Sequence, residues 1–255
     1  IICAGLKRAG STLQYQLCKE ILHKNYSIID YGYTNNHKDI SRAFKNKNDH
    51  ECNIIKTHGF FNILKDYSKE KDVYILSSYR DLRDSSLSQI FAYKKTFSQL
   101  IKSEWLQDEM KTYYKLKKIE NLLMQDFDVL KQDLKVSIFQ ISKYLNIKLD
   151  EGTAIKIANN FNIKSQKQKI KKYTKTKKYK YINFLNKIIK RVIPASLLQA
   201  GLILNIDKST YLHHNHINSQ KVDWQNFYSI AQKEEIKSII SDWLIELGYE
   251  KDANW

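Results

Sequence analysis

Short apolar runs alternate with stretches of helical periodicity along most of the chain. Five runs rich in Ile, Val and Tyr predict strands, and the segments between them repeat apolar residues every three or four positions, as amphipathic helices do. The predicted strands are residues 1–4, 26–31, 52–57, 73–79 and 121–127, and the predicted helices are residues 12–24, 37–46, 59–68, 82–97, 99–119, 132–145, 152–161 and 230–247. Strands separated by helices indicate an α/β fold with a central, mostly parallel sheet covered on both faces.

Residues 164–191 interrupt this alternation. Lysines crowd this segment, interleaved with Tyr173, Tyr179 and Tyr181. Two interpretations stay open: a solvated, mobile segment, which suits most of these lysines, and a lid or patch that closes on an anion. We predict a single domain over residues 1–255, with a Lys/Tyr-rich lid or substrate loop at about 164–213.

The composition is strongly basic. The 255 residues include 43 Lys and Arg against 27 Asp and Glu, a formal net charge of +16. Such a surplus attracts anions: nucleic acid, acidic membranes or a highly charged small molecule. Lys, Asn and Ile are abundant throughout, so part of the surplus reflects composition alone. No apolar run approaches the roughly 20 residues that span a bilayer, and we expect no membrane partner.

The three cysteines, Cys3, Cys18 and Cys52, form neither a CxxC pair nor a metal-ligand spacing. Cys3 and Cys52 lie in apolar, strand-like runs, which predicts buried free thiols. Free thiols are typical of a reducing compartment, so we expect a cytoplasmic protein. The oligomeric state stays open, with a homodimer among the options.

A phosphate-binding loop is indicated by the run Gly5-Leu6-Lys7-Arg8-Ala9-Gly10-Ser11-Thr12. Its glycine spacing and its Ser-Thr pair match G-x-x-x-x-G-K-[ST], but Ser11 stands where that loop has its lysine. A strand, a glycine-bearing turn and a helix N-terminus direct backbone N–H groups at an anion. The run predicts a bound phosphate in a P-loop-like α/β/α fold, without the chemistry of an ATPase or GTPase.

A second candidate follows the fourth predicted strand and reads Arg80-Asp81-Leu82-Arg83-Asp84-Ser85-Ser86-Leu87-Ser88. Arg80 leaves the end of the strand, and Ser88 lies about two turns into the following helix. A guanidinium and a hydroxyl held by adjoining rigid elements can share one phosphate. Taken alone, the run is explained as often by an ordinary surface helix whose start Asp81 or Asp84 caps.

The third candidate is Lys56-Thr57-His58, at the end of the third predicted strand. A histidine at the carboxyl edge of a sheet is well placed as a general base, because its pKa lies near working pH. Considered in isolation, an ordinary strand-end histidine is the favoured reading. The cluster His213, His214 and His216 lacks any matching carboxylate or thiolate spacing, so we interpret it as a loop and predict no metal site.

Taken together and in this order, these segments resemble the cytosolic and bacterial sulfotransferases that use 3′-phosphoadenosine 5′-phosphosulfate (PAPS). Their loop P-[KR]-S-G-[ST]-T is similar to residues 6–12, with Arg8 in the basic position. Their R-[DN]-x-x-D-x-x-x-S is similar to residues 80–88, and their strand-end K-T-H to residues 56–58. Their Y-E-D-L segment, which places an aromatic ring against adenine, is similar to residues 127–130. The resemblance covers roughly residues 1–160 and 214–250.

The chain departs from the family pattern in two places. The late motif R-K-G-x-x-G-D-W-[KR]-N is only partly kept in residues 217–226, where Asp223-Trp224 and Asn226 fit but Ile217 and Asn218 replace the basic pair. Lys221, or a lysine of residues 164–191, then supplies charge to the 3′-phosphate. Leu13 stands where the family has an aromatic residue after the loop.

The resemblance implies a metal-independent, in-line transfer of a sulfuryl group from PAPS to a hydroxyl or amine of a small-molecule acceptor, releasing adenosine 3′,5′-bisphosphate (PAP). It makes His58 the general base, with Arg8 and Lys56 stabilising charge on the leaving nucleotide and the sulfuryl oxygens. It implies donor contacts by Arg8, Ala9, Gly10, Ser11, Thr12, Leu13, Arg80, Ser88, Phe127, Asn218, Ser219 and Lys221.

Two other functions remain as alternatives. A P-loop kinase of small molecules shares the sheet and loop, but it needs a lysine after Gly10 and a Mg²⁺-binding Asp, for which Asp81 is the nearby candidate. A nucleic-acid-binding protein using residues 164–191 explains the charge but leaves Arg80 and His58 without a role. No nucleic-acid partner is therefore expected. The sequence does not identify the acceptor: we expect a small-molecule metabolite or natural product, with carbohydrate and protein tyrosine as alternatives.

Overall fold

The computed structural model describes residues 1–34, 36–45, 51–59, 61–192 and 223–255. Its core is a sheet of five strands, all paired in parallel, in the order β2-β3-β1-β4-β5. The strands are β1 (Ile2–Cys3), β2 (Ser27–Tyr33), β3 (Glu51–Lys56), β4 (Ile75–Tyr79) and β5 (Leu122–Asp126). This confirms the predicted α/β fold, and each predicted strand lies within a few residues of its place.

Helices connect the strands and cover the sheet. They are α1 (Ser11–Leu22), α2 (His37–Lys45), α3 (Phe61–Tyr67), α4 (Leu82–Tyr93), α5 (Phe97–Lys102), α6 (Trp105–Lys117), α7 (Phe127–Gln132), α8 (Leu134–Tyr144), α9 (Glu151–Phe161), α10 (Ile163–Thr174), α11 (Lys177–Val192), α12 (Trp224–Phe227) and α13 (Ile230–Glu246). One hydrophobic cluster joins strand residues such as Ile2, Ile55 and Ile75 to Leu64 of α3. Another joins Leu82 of α4 and Leu106 of α6 to Trp243 of α13.

Local backbone chemistry corrects two predicted helices. The predicted helix 82–97 ends at Tyr93, because Lys94 adopts a left-handed φ of 54°. The predicted helix 99–119 is divided into α5 and α6 at Glu104, which has a φ of 51°. Thr96 and Gln99 form a capping box that starts α5 separately. The short helices α7 and α12 were not predicted.

The chain divides into two compact units, residues 1–158 with 220–255 and residues 159–219. In the second unit, the described residues form α10 and α11, where the sequence predicted no regular element. Asn162 starts α10 by accepting a hydrogen bond from the Ser165 N–H, and lysine is a good helix former. None of the helices in the described part of the chain combines the length and apolar composition that a bilayer crossing requires.

The cysteines are free thiols. Cys3 and Cys18 are buried, whereas Cys52 is only half-buried, so the prediction of a buried thiol is correct for Cys3 and too strong for Cys52. Burial raises the pKa of Cys18 and of Cys52, which keeps both thiols protonated at neutral pH.

Candidate active site

The predicted site residues collect at the carboxyl edge of four neighbouring strands. Residues 4–10 follow β1, His58 follows β3, Arg80 follows β4 and Phe127 follows β5. Because β3, β1, β4 and β5 are adjacent in the sheet, segments far apart in sequence lie side by side at this edge. Ligands of parallel α/β sheets bind at this edge.

The loop after β1 depends on its two glycines. A Cβ on Gly5 would lie 2.6 Å from Ser78 Oγ, and one on Gly10 would lie 2.7 Å from Cε2 of the Phe127 ring. Gly10 also has a φ of 81°, a conformation that side chains disfavour. Gly10 caps α1 without a side-chain hydrogen bond, so backbone N–H groups of the first turn of α1 face the loop.

The remaining predicted loop residues line this turn with different exposure. Ala9 and Ser11 are buried, whereas Thr12 and Leu13 are half-buried at the start of α1. Arg8 adopts a left-handed φ of 63°. The predicted donor contacts Asn218, Ser219 and Lys221 lie outside the described residues.

Arg8, Ser88 and Arg80 form one cationic cluster. Arg8 Nε donates a hydrogen bond of 3.0 Å to Ser88 Oγ. Burial, with a contribution from nearby Arg80, lowers the pKa of Arg8. Arg80 Nη2 pairs with Asp84 at 3.1 Å, and its guanidinium lies 4.6 Å from the centre of the Phe127 ring. Residues predicted for the 5′-phosphate and for the 3′-phosphate are thus brought together.

Arg80 also has a spare donor. Its Nε is buried and has no hydrogen-bond partner among the described residues. An unpaired buried donor costs free energy, and a bound anion removes that cost. The cluster therefore suits an anionic ligand, with Phe127 offering an aromatic face next to Arg80.

His58 is oriented by the loop after β1. Its Nδ1 lies 2.6 Å from the carbonyl oxygen of Gly5. A carbonyl only accepts, so Nδ1 carries the ring proton and Nε2 holds the lone pair. Nε2 lies 3.1 Å from Lys56 Nζ, whose ammonium donates to it. This tautomer is the one that a general base at Nε2 requires.

Lys56 is buried and contacts the rings of both Tyr33 and His58. Its Nζ lies 5.0 Å from the centre of the Tyr33 ring, and that ring lies 5.6 Å from the His58 ring. Burial lowers the pKa of Lys56 to about 8. Sequence reasoning missed Tyr33, because the predicted strand ended at residue 31, whereas β2 continues to Tyr33.

Glu109 is a second residue that sequence reasoning missed. Its buried carboxylate accepts a 2.9 Å hydrogen bond from the Lys7 N–H and lies 3.4 Å from Lys7 Nζ. Burial raises the pKa of Glu109, while the contacts with Lys7 oppose the rise. The available signal was a charged residue on the apolar face of α6, four positions after Trp105. Glu109 holds the loop that carries Arg8.

Arg83 fastens the start of α4 to the C-terminal part of the chain. Its guanidinium donates to both Asp81 oxygens and pairs with Glu250. It lies 4.1 Å from the centre of the Trp224 ring and 4.6 Å from that of Trp255. Because Asp81 directly follows Arg80, this cluster supports the strand end that carries Arg80.

Metal ligands are not grouped in the described residues. No set of three or more His, Cys, Asp or Glu side chains among them is placed to hold a metal ion. The cluster at 213–216 lies outside that part of the chain.

Comparisons with known proteins agree with the motifs. A family model described as a sulfotransferase domain matches residues 1–191. A search of curated proteins finds no match. Among solved structures, the mouse sulfotransferase SULT7A1 complexed with PAP aligns with a TM-score of 0.62 and 14% identity, covering 96% of this chain and 83% of that one.

Retinol dehydratase shows the same likeness. Its complex with androsterone and the inactive cofactor PAP aligns with a TM-score of 0.58 and 15% identity, over 95% of this chain and 80% of that one. Its complex with retinol and PAP aligns with a TM-score of 0.57 and 14% identity, over the same shares of the two chains. At these identities the alignments show the P-loop-like fold, and the family model shows the family. The chain belongs to the sulfotransferase domain family, and it is an enzyme of the PAPS-dependent class that its motifs predict.

Proposed function

We propose that this sulfotransferase transfers a sulfuryl group from PAPS to a hydroxyl or amine of a small-molecule acceptor, with His58 as the general base. The observation that carries the proposal is the fixed tautomer of His58, whose Nδ1 is held at 2.6 Å from the Gly5 carbonyl. Nε2 is thereby the accepting ring nitrogen; it accepts a hydrogen bond from Lys56 Nζ and lies at the same sheet edge as the cationic cluster of Arg8 and Arg80.

The donor is proposed to lie across the loop after β1 and the start of α4. Backbone N–H groups at the start of α1, with Ser11 and Thr12, suit the 5′-phosphate. Arg80 and Ser88 suit the 3′-phosphate, since Arg80 has an unpaired buried Nε. Ser88 would exchange its present contact with Arg8 for the ligand. Phe127, next to both Gly10 and Arg80, suits the adenine ring.

The chain's own groups then perform three tasks. His58 Nε2 takes the proton of the acceptor as the acceptor oxygen or nitrogen bonds to sulfur and the bond from sulfur to the bridging phosphate oxygen breaks. Arg8 stabilises the charge that develops on the departing nucleotide; it acts electrostatically because a guanidinium keeps its proton. Lys56, now donating to His58, turns to the sulfuryl oxygens when His58 accepts a proton.

The acceptor is proposed to approach from the side of Tyr33, the partly exposed ring beside His58 and Lys56. Structural relatives whose complexes contain androsterone or retinol support a small organic acceptor. A cytoplasmic location is proposed from the free thiols.

Calorimetric titration with PAP tests the donor site. We expect tight binding that EDTA leaves unchanged, with ATP binding far more weakly. Arg80→Ala should lower PAP affinity by about 100-fold, because a charge-assisted contact to phosphate is lost. Arg42→Ala, at an exposed position on α2, is the matched control and should bind like the wild type. Absent PAP binding, or Mg²⁺-dependent ATP binding, would favour a kinase instead.

A further inference from the structure

Helices α10 and α11 hold most of the chain's surplus positive charge. Residues 159–192 contain twelve Lys and Arg and no Asp or Glu, in a chain whose formal net charge is +16. Lys177, Lys178 and Lys180 are exposed on the first turn of α11. With no carboxylate among these residues to neutralise it, the charge here is available to an anionic partner.

An exposed apolar stripe runs along α11 beside these lysines. Tyr181, Phe184 and Ile188 expose 63%, 59% and 43% of their surface. Their spacing of three and four residues places them on one face of the helix. Ile163, at the start of α10, is exposed as well. A row of large apolar side chains in water is unfavourable unless a partner covers it.

The stripe is separate from the contact that joins the two helices. The rings of Tyr173 on α10 and Tyr179 on α11 meet edge to face, 5.5 Å apart. Tyr179 lies on α11 well away from the direction of Phe184, since five residues turn a helix by about 140°. The stripe therefore remains exposed while the helix pair is packed.

We propose that α11 is an interfacial helix that binds an anionic lipid surface. Such helices bury an apolar face at the boundary between headgroups and acyl chains, and their lysines attract acidic headgroups. This replaces the expectation, drawn from the sequence, that the protein has no membrane partner. It rests only on residues 159–192 and is independent of the proposed transfer reaction.

Charge and apolar exposure together favour lipid over nucleic acid. Nucleic acid uses the lysines for its phosphates and aromatic rings for base stacking. Neither of these contacts of nucleic acid involves aliphatic side chains such as Ile163 and Ile188, which are exposed here. An acyl layer accepts both the aliphatic and the aromatic members of the stripe.

Vesicle co-flotation of the full chain tests the proposal. We expect at least about 10-fold tighter binding to vesicles of phosphatidylcholine with 30% phosphatidylglycerol than to phosphatidylcholine alone. Raising the NaCl concentration from 0.1 to 0.5 M should weaken binding to the anionic vesicles. The triple variant Lys177→Glu, Lys178→Glu, Lys180→Glu should lose about 100-fold in affinity, since each juxtamembrane lysine contributes about five-fold.

Matched controls separate this surface from general effects. The control triple variant changes the net charge equally at exposed sites elsewhere: Lys111→Glu, Lys118→Glu, Lys131→Glu. It should bind anionic vesicles nearly as tightly as the wild type does. Phe184→Ser with Ile188→Ser should lose about 10-fold in vesicle affinity, because it removes two exposed apolar side chains that the acyl layer would cover. Its control is Val129→Ser with Val136→Ser, which removes two exposed valines of the other unit.

Three results would overturn the proposal. One is equal binding to neutral and anionic vesicles. Another is anionic-vesicle binding that survives the Phe184 and Ile188 substitutions, particularly with tight binding of a single-stranded RNA homopolymer. The third is a loss of melting temperature in that double variant larger than in its valine control, which would mean that the stripe packs against the chain's own residues.

Discussion

Arg8 and Ser88, 80 positions apart in sequence, are joined by a hydrogen bond of 3.0 Å from Arg8 Nε to Ser88 Oγ. The contact links the loop after β1 to the second turn of α4. It brings the residue proposed for the leaving 5′-phosphate into contact with a residue proposed for the 3′-phosphate. The contact therefore couples the two halves of the proposed donor site.

Replacing Ser88 tests that coupling. Ser88→Ala removes the hydroxyl proposed for the 3′-phosphate and frees Arg8, so we expect PAP affinity to fall about 10-fold in calorimetry. Ser85→Ala is the matched control on the same helix, because Ser85 Oγ is buried and has no partner among the described residues. A Ser88 variant that binds PAP as tightly as the Ser85 variant would exclude Ser88 from the site.

Gly10→Ala should damage the loop. The new Cβ would meet the Phe127 ring, and the φ of 81° is strained for alanine. We expect a loss of about 1–3 kcal/mol in unfolding free energy, with weaker PAP binding. Gly59→Ala, where a Cβ meets nothing within 4 Å, should change neither quantity. Urea denaturation of both variants measures the difference, and equal stabilities would contradict the loop geometry.

We expect the pH profile of kcat/KM to have an alkaline limb that is caused by Lys56. Burial lowers its pKa to about 8, so above that pH its positive charge is lost. We expect kcat/KM, which reports the free enzyme, to fall as the pH rises through 8. Lys56→Arg should keep its charge and move the limb upwards, whereas Lys65→Arg at an exposed site should not. A common limb in all three proteins would assign it to another group.

The same shift has a consequence for stability. The unfolded chain holds the Lys56 proton up to its ordinary pKa of 10.5, whereas the folded chain releases it near pH 8. Lys56 therefore makes the unfolding free energy rise with pH across that interval. Lys56→Met should lose this rise; an unchanged slope would show that Lys56 keeps an ordinary pKa.

Arg83→Ala should destabilise the fold strongly. It would leave the buried Asp81 carboxylate without its partner and remove the ring contacts with Trp224 and Trp255. We expect a loss of about 3–5 kcal/mol in unfolding free energy by urea denaturation. Arg83→Lys should retain only part of the unfolding free energy that Arg83→Ala loses, because lysine lacks the planar, bidentate guanidinium. Full stability in Arg83→Lys would show that charge alone suffices.

Local sequence patterns predicted most of the fold. Apolar runs such as residues 73–79 form strands because a sheet covered on both faces buries every position. The roles of Arg8, His58 and Arg80 were predicted from the resemblance of their motifs to those of the sulfotransferases. The three residues lie together because the carboxyl ends of parallel strands meet at one edge of the sheet. The division of the predicted helix at Glu104 was missed, since apolar periodicity carries no signal for a single residue with left-handed backbone.

Contacts between residues far apart in sequence could not be predicted either. Glu109 meets Lys7 across 102 positions, and Arg83 meets Glu250 across 167. The sequence names neither pair of partners, because each contact depends on how distant segments of the chain pack together. Tyr33 was overlooked because it contacts Lys56 and His58 only once β2 pairs with β3.

The single-turnover rate of sulfuryl transfer in His58→Ala tests the central claim most directly. With saturating PAPS and a phenolic acceptor, we predict a rate about 100- to 10,000-fold below wild type, because the base is lost, with PAP affinity unchanged. His23→Ala, at an exposed position, should react at the wild-type rate. A His58 variant that transfers the sulfuryl group as fast as the wild type would contradict the proposal that His58 is the general base.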